Sequence, residues 1–185
     1  MRLFIKNMVC DRCKTAVGST LENLGLTPIS ITLGEVEITE NLSDETKVTL
    51  DESLQAKGFE LIDDPKSRLS EKIKNLIVDL VHNRNNEINV NLSEFLSDKT
   101  NHDYSFLSNA FSKQTGTTIE QFYIMQKIER VKELLEYGEL NLNEIAFALN
   151  YGSASHLTRQ FKKITSQTPT EFKASNLKRQ PLDSL

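Results

Sequence analysis

Hydrophobic positions change their period part-way along the chain. Through residue 64 they alternate in short runs: Leu3 and Ile5 within Arg2 to Lys6, Ile29 and Ile31 against Ser30 and Thr32, Val36 and Ile38 after Gly34, and Phe59-Glu60-Leu61-Ile62. Period-two runs of this length predict strands. Two segments interrupt them with helical character: Ala16 to Leu24, stopped by Gly25, and residues 46 to 57 with Val48, Leu50, Leu54 and Ala56 ahead of Gly58. From residue 65 the spacing becomes that of helices, beginning with Leu69, Ile73, Leu76, Ile77, Leu80 and Val81.

The helical part contains an internal repeat. Shifting the chain by 50 residues aligns 91–122 with 141–172 and leaves ten identities: Asn91/Asn141, Leu92/Leu142, Glu94/Glu144, Ser105/Ser155, Leu107/Leu157, Phe111/Phe161, Lys113/Lys163, Thr115/Thr165, Thr118/Thr168 and Phe122/Phe172. Unrelated stretches of that length share about two, so one structural unit occurs twice. In the second copy Leu142, Ile145, Ala146 and Leu149 form one buried stripe. Asn150-Tyr151-Gly152-Ser153 then turns the chain, and Leu157, Phe161 and Ile164 give the next helix its inward face. Thr168-Pro169 starts another helix with proline at its favoured first position. The first copy follows with Leu92, Phe95 and Leu96, a polar turn at Asn101-His102-Asp103, then Leu107 and Phe111, closed by Gly116. Between the copies, residues 118–137 place Ile119, Phe122, Met125, Ile128, Val131, Leu134 and Leu135 at helical spacing. Lys127, Glu129, Arg130, Lys132 and Glu133 are expected outside.

The fold class is therefore α+β. A small ferredoxin-like βαββαβ domain (1–64) leads through a helical linker (65–86) to an all-α domain (87–177), with a tail at 178–185. The all-α domain has two helix-turn-helix units joined by a long helix. Such a unit can place its second helix in a DNA major groove, although helix pairs also occur in proteins that never meet DNA.

Residues 70–177 resemble the DNA-binding domain of the AraC/XylS regulators. The likeness is carried by Ile145-Ala146, Tyr151, Ser155, Leu157, Arg159, Phe161-Lys162-Lys163 and Thr168-Pro169-Thr170-Glu171-Phe172. The chain departs from the family at Asn150 and Ser166, where glycine is usual, and at Ile119, where the first copy usually has proline. The resemblance implies reading helices near 103–113 and 153–163. Base-facing positions would be Ser105, Ser108 and Asn109 in the first and Ala154, Ser155, His156 and Arg159 in the second. Arg159 suits a bidentate bond to guanine and Asn109 one to adenine. Lys113, Lys162, Lys163 and helix N-terminal amides suit phosphates. With both heads in one chain, a monomer can span successive major-groove segments about 10 bp apart.

Charge sharpens this picture. The chain of 185 residues has 22 basic and 26 acidic side chains, for a formal −4. That average argues weakly against nucleic acid, but residues 1–64 alone are −6 and residues 150–180 are +5. No apolar run approaches the roughly 20 residues of a membrane span, and the start reads as neither signal nor transit peptide, so a cytoplasmic location is expected.

The only cysteines, Cys10 and Cys13, form a C-x-x-C between the first strand and the first helix. The helix N-terminus, Arg12 and Lys14 would favour thiolate there. Two thiolates suit a soft ion such as Cu(I), whereas tetrahedral zinc needs two further ligands; a redox cycle to a disulfide is the other chemistry open to the pair. Asn7-Met8-Val9-Cys10-Asp11-Arg12-Cys13 resembles the M-x-C-x-x-C loop of heavy-metal-associated domains. That likeness implies metal ligation by Cys10 and Cys13 and packing of Met8 beneath the loop. The same domain could instead serve only as a homodimer interface. His82, His102 and His156 read as surface or capping residues. No phosphate loop, nucleophile motif or acid/base pair suggests an enzyme. Two function classes follow: a sequence-specific regulator whose partner is double-stranded DNA, with a soft metal as its signal, or a copper carrier whose helical half docks a protein.

Overall fold

A computed structural model describes residues 1–175; the tail at 178–185, with Lys178 and Arg179 of the basic end, lies outside the described residues. The chain divides into two compact units, one ending at Asn75 and the other beginning at Leu76.

The first unit holds β1 (Arg2–Lys6), α1 (Asp11–Asn23), β2 (Pro28–Thr32), β3 (Glu35–Ile38), α2 (Asp44–Gln55) and β4 (Glu60–Leu61). The strands lie in the order β2-β3-β1-β4, every neighbouring pair antiparallel. Alternation puts Leu3, Ile5, Val36 and Ile38 on one face, where they pack with Val17, Leu21, Leu50 and Leu54 of α1 and α2; each such burial contributes about 1.5–3 kcal/mol. Three details differ from the expectation. Ile29 is 61% exposed, because β2 shifts register between Pro28 and Ser30. Val48 and Ala56 lie on the solvent side of α2, whose buried residues are Leu50 and Leu54. The last strand shrinks to two residues, although Phe59 and Ile62 on either side of it are buried.

Helix α3 (Pro65–Val78) begins with Asp64, whose carboxylate accepts from the Ser67 amide at 2.8 Å and is held below the usual carboxylate range by it. Arg68 lays its guanidinium 4.4 Å above the Phe4 ring, and buried Glu71 accepts from the Asn7 amide at 3.0 Å. At Gly34, φ is +81° and a Cβ would stand 2.1 Å from the Asn75 side-chain nitrogen, so a side chain in this β2–β3 turn would be strained and would displace the Asn75 amide.

In the second unit a five-residue π-helical turn (Asp79–Asn83) precedes α4 (Leu92–Thr100), α5 (Tyr104–Thr115), α6 (Ile119–Tyr137), α7 (Leu142–Ala148), α8 (Ala154–Thr165) and α9 (Pro169–Ser175). The repeat holds at atomic detail. Asn91 caps α4 and Asn141 caps α7. Thr115 and Thr165 hydroxyls donate to the carbonyls of Phe111 and Phe161, each at 2.8 Å. Phe111 meets Phe122 at 5.8 Å, and Phe161 meets Phe172 at 5.7 Å. α5 ends at Gly116 and α8 at Ser166, both left-handed with φ of 74° and 62°. No helix among the described residues is long and apolar enough to cross a membrane.

Helix α6 corrects the expectation most. Lys127 and Glu129 are buried, and the Lys132, Arg130 and Glu133 side chains are largely covered as well. Both repeats pack onto this helix, so it has no wide solvent face; four of these charges are tolerated because they are paired. Lys132 donates to Glu129, and Arg130 donates to Glu133 at 2.6 Å. Lys127 lies over the Tyr151 ring at 3.8 Å and the Tyr123 ring at 5.4 Å; burial pushes its ammonium down to about 8. His82, expected at the surface, is likewise enclosed, meeting Gln126 at 3.1 Å with Glu133 at 3.7 Å. Ile164, expected inside, is 46% exposed, the stripe of α8 being completed by Leu157 and Phe161.

Two stability measurements test this fold. Ser166→Gly removes the cost of a side chain in left-handed backbone, about 1 kcal/mol, and should raise the thermal midpoint by a few degrees. Lys127 has a folded pKa of about 8, below the unfolded lysine value of about 10.4. Between these values the unfolded chain holds a proton that the folded chain has released, so stability should increase with pH there. Denaturant titrations of Lys127→Met across that range should show the increment missing relative to the wild type.

Candidate nucleic-acid interface

Helices α5 and α8 are each set by their own turn. In the second copy Asn150 takes φ of 53°, and Ser153 caps α8 by accepting from the His156 amide at 3.1 Å. In the first copy Asn101 takes φ of 56°, and Asp103 precedes α5 in extended backbone. Leu157 and Phe161, like Leu107 and Phe111, point into the core, which turns the opposite faces outward.

On α8 this exposes Ser155, His156, Arg159, Lys162 and Lys163, with Ala154 half-buried. On α5 it exposes Ser105, Asn109 and Lys113, with Ser108 half-buried. The two faces differ chemically. Asn109 spends one amide hydrogen on the Ser105 carbonyl of its own helix, at 2.9 Å, and Lys113 is the cation among the first copy's site residues. The second face carries Arg159 and two lysines. The acidic residue nearest it in sequence, Glu171, accepts from the Thr168 amide at 2.7 Å and hydroxyl at 2.9 Å, which holds its carboxyl below the usual range. It caps α9, and Lys162 of α8 adds to the lowering of its pKa. His156 stands edge-on to Tyr151, ring centroids 5.6 Å apart.

A supporting residue went unread in the sequence. Asn86, 1% exposed, donates to the Leu149 carbonyl at 3.1 Å, and its own carbonyl accepts from the Asn150 amide at 2.8 Å. Its side-chain oxygen accepts from the Tyr123 hydroxyl at 2.5 Å. These bonds tie the turn of the second copy to α6. The adjacent pair Asn85-Asn86 signals a turn, and both residues adopt positive φ, but a long-range partner leaves no local trace.

In the first unit, Asn7 supplies the left-handed residue before the cysteine loop, with φ of 69°, and donates to the Gly58 carbonyl at 2.9 Å. Met8 is fully buried beneath it. Cys10 occupies the N-cap position of α1 without a side-chain capping bond, and the Cys10 and Cys13 sulfurs lie 3.1 Å apart as free thiols. The thiolate expectation is corrected at Cys13: partial burial and the hydrogen bond with Cys10 raise its pKa. Lys14 is engaged with Asp11 at 2.8 Å. Among the described residues no cluster of three or more His, Cys, Asp or Glu side chains stands ready for a metal.

Residues 96–175 match the model of a helix-turn-helix domain family. An uncharacterized HTH-type transcriptional regulator of Staphylococcus aureus is 33% identical over 84 residues, which are 45% of this chain and 11% of that protein. The uncharacterized HTH-type transcriptional regulator YtdP of Bacillus subtilis is 21% identical over 144 residues, 70% of this chain and 19% of that protein. The chain thus spans a small fraction of the relatives it matches. Among solved structures, the C-terminal domain of AraT, a response regulator from Geobacillus stearothermophilus, superposes with a TM-score of 0.52 at 20% identity, covering 63% of this chain and 93% of that one. The paired helix-turn-helix units overlap the residues that match the helix-turn-helix domain family, and their fold is the one seen in the AraT C-terminal domain.

Proposed function

We propose that this protein is a sequence-specific transcription regulator that binds double-stranded DNA through α5 and α8, and that it acts by binding rather than catalysis. The observation that carries this reading is the pair of outward helix faces, alike in scaffold and rich in base- and phosphate-directed side chains. Arg159 would take guanine, Asn109 adenine, and Ser105, Ser108, Ala154, Ser155 and His156 would add weaker contacts. Lys113, Lys162 and Lys163 would hold phosphates.

The βαββαβ order and the strand order of the first unit support a ferredoxin-like, heavy-metal-associated type of domain. Cys10 and Cys13 are the residues that would hold a soft ion. Two sulfurs that belong to no larger His, Cys, Asp or Glu cluster among the described residues suit Cu(I) better than tetrahedral zinc, and bound metal or a homodimer contact through this unit would be the regulator's signal.

Fluorescence anisotropy on a duplex selected by the protein from a random library tests the DNA reading. Arg159→Ala should weaken that duplex by about 1–3 kcal/mol and relax preference at one guanine. Lys162→Ala should lower affinity for every sequence alike and reduce the salt slope by about one. Unchanged binding in Arg159→Ala would favour the metal carrier. Separately, competition of the reduced protein against a Cu(I) chelator should show one bound ion, lost in Cys10→Ser and in Cys13→Ser.

A further inference from the structure

The first reading helix carries a residue that hydrogen-bond readout leaves unexplained. Phe106 on α5 is 52% exposed, while its chain neighbour Leu107 is fully buried. At 3.6 residues per turn, Phe106 lies about 60° around the helix from Asn109 and about 20° from Lys113. It therefore belongs to the outward face rather than the core stripe. Its ring is steadied by His102, centroids 5.1 Å apart and planes tilted by 44°, so it is held in place at the N-terminal end of the helix.

In the major groove the donor and acceptor edges of the bases are polar, and the apolar group on offer is the C5 methyl of thymine. We propose that Phe106 is a specificity residue that reads a thymine methyl in the half-site of the first helix-turn-helix, an inference that rests on the DNA-binding function above. The repeat supplies the contrast: the corresponding position of the second copy is His156, a polar ring set edge-on against Tyr151. The two heads then read different chemistry, an apolar methyl under α5 and a guanine edge under α8 through Arg159. An operator for this chain is asymmetric, with a fixed orientation on DNA.

Replacing thymine by deoxyuridine removes only the methyl and keeps every hydrogen bond. With the full chain and a duplex it selects from a random library, each thymine is replaced singly. Wild type should lose affinity at one thymine of the α5 half-site by about fourfold, the effect of leaving one methyl unburied. Phe106→Ala should bind the parent duplex correspondingly more weakly and be indifferent to that replacement, while Phe106→Leu keeps part of the response. Arg159→Ala should keep the response in full. A Phe106→Ala protein that still distinguishes thymine from deoxyuridine there, or a wild type indifferent to every replacement in that half-site, overturns the proposal and leaves DNA binding intact. Failure of the wild type to select any sequence overturns the DNA reading itself.

Discussion

The second unit depends on one helix that is buried nearly all the way round. Helix α6 receives Phe111 of the first copy on Phe122 and gives Ile128, Val131 and Leu135 to the core of the second. A helix in that position takes several charged side chains out of water, and two of its cations are matched inside the protein, Lys132 by Glu129 and Arg130 by Glu133. Nineteen residues at 1.5 Å rise make a rod of about 28 Å. The two outward faces are carried on that rod, not on a flexible tether, and their separation is a property of the fold.

Where sequence spacing recorded local geometry, it was legible. The 50-residue repeat located both turns and both reading helices to within two residues, because capping, turn residues and a buried stripe are all short-range signals. It failed where burial is decided by distant elements. Lys127 looks like a solvated lysine on any helical wheel; only the aromatic faces of Tyr123 and Tyr151 show why it sits inside. Asn86 went unread for the same reason. In the first unit the alternation of Leu3, Ile5, Val36 and Ile38 was sufficient, whereas a register shift in β2 put Ile29 into solvent against its pattern.

The non-glycine residues in left-handed backbone at Asn7, Asn150 and Ser166 have separate physical explanations. Asn7 and Asn150 both adopt left-handed backbone, and each uses its amide to bond a distant carbonyl, of Gly58 and of Asn86. Glycine would offer the conformation without the bond. Ser166 has the conformation alone. The cysteine loop is fastened from two sides, by Gly58 through the Asn7 side chain and by Glu71 of α3 through the Asn7 amide. Chemistry at Cys10 and Cys13 therefore occurs on a loop whose first residue is already fixed.

The duplicated scaffold separates what the protein must keep from what it can change. Positions shared by the copies, Leu107/Leu157, Phe111/Phe161 and Phe122/Phe172, fill the core, while Phe106/His156 and Asn109/Arg159 differ and lie outside it. Exchanges at exposed positions commonly alter stability by less than about 0.5 kcal/mol. One outward face can thus change its side chains while its twin keeps its own, each step leaving the shared core untouched.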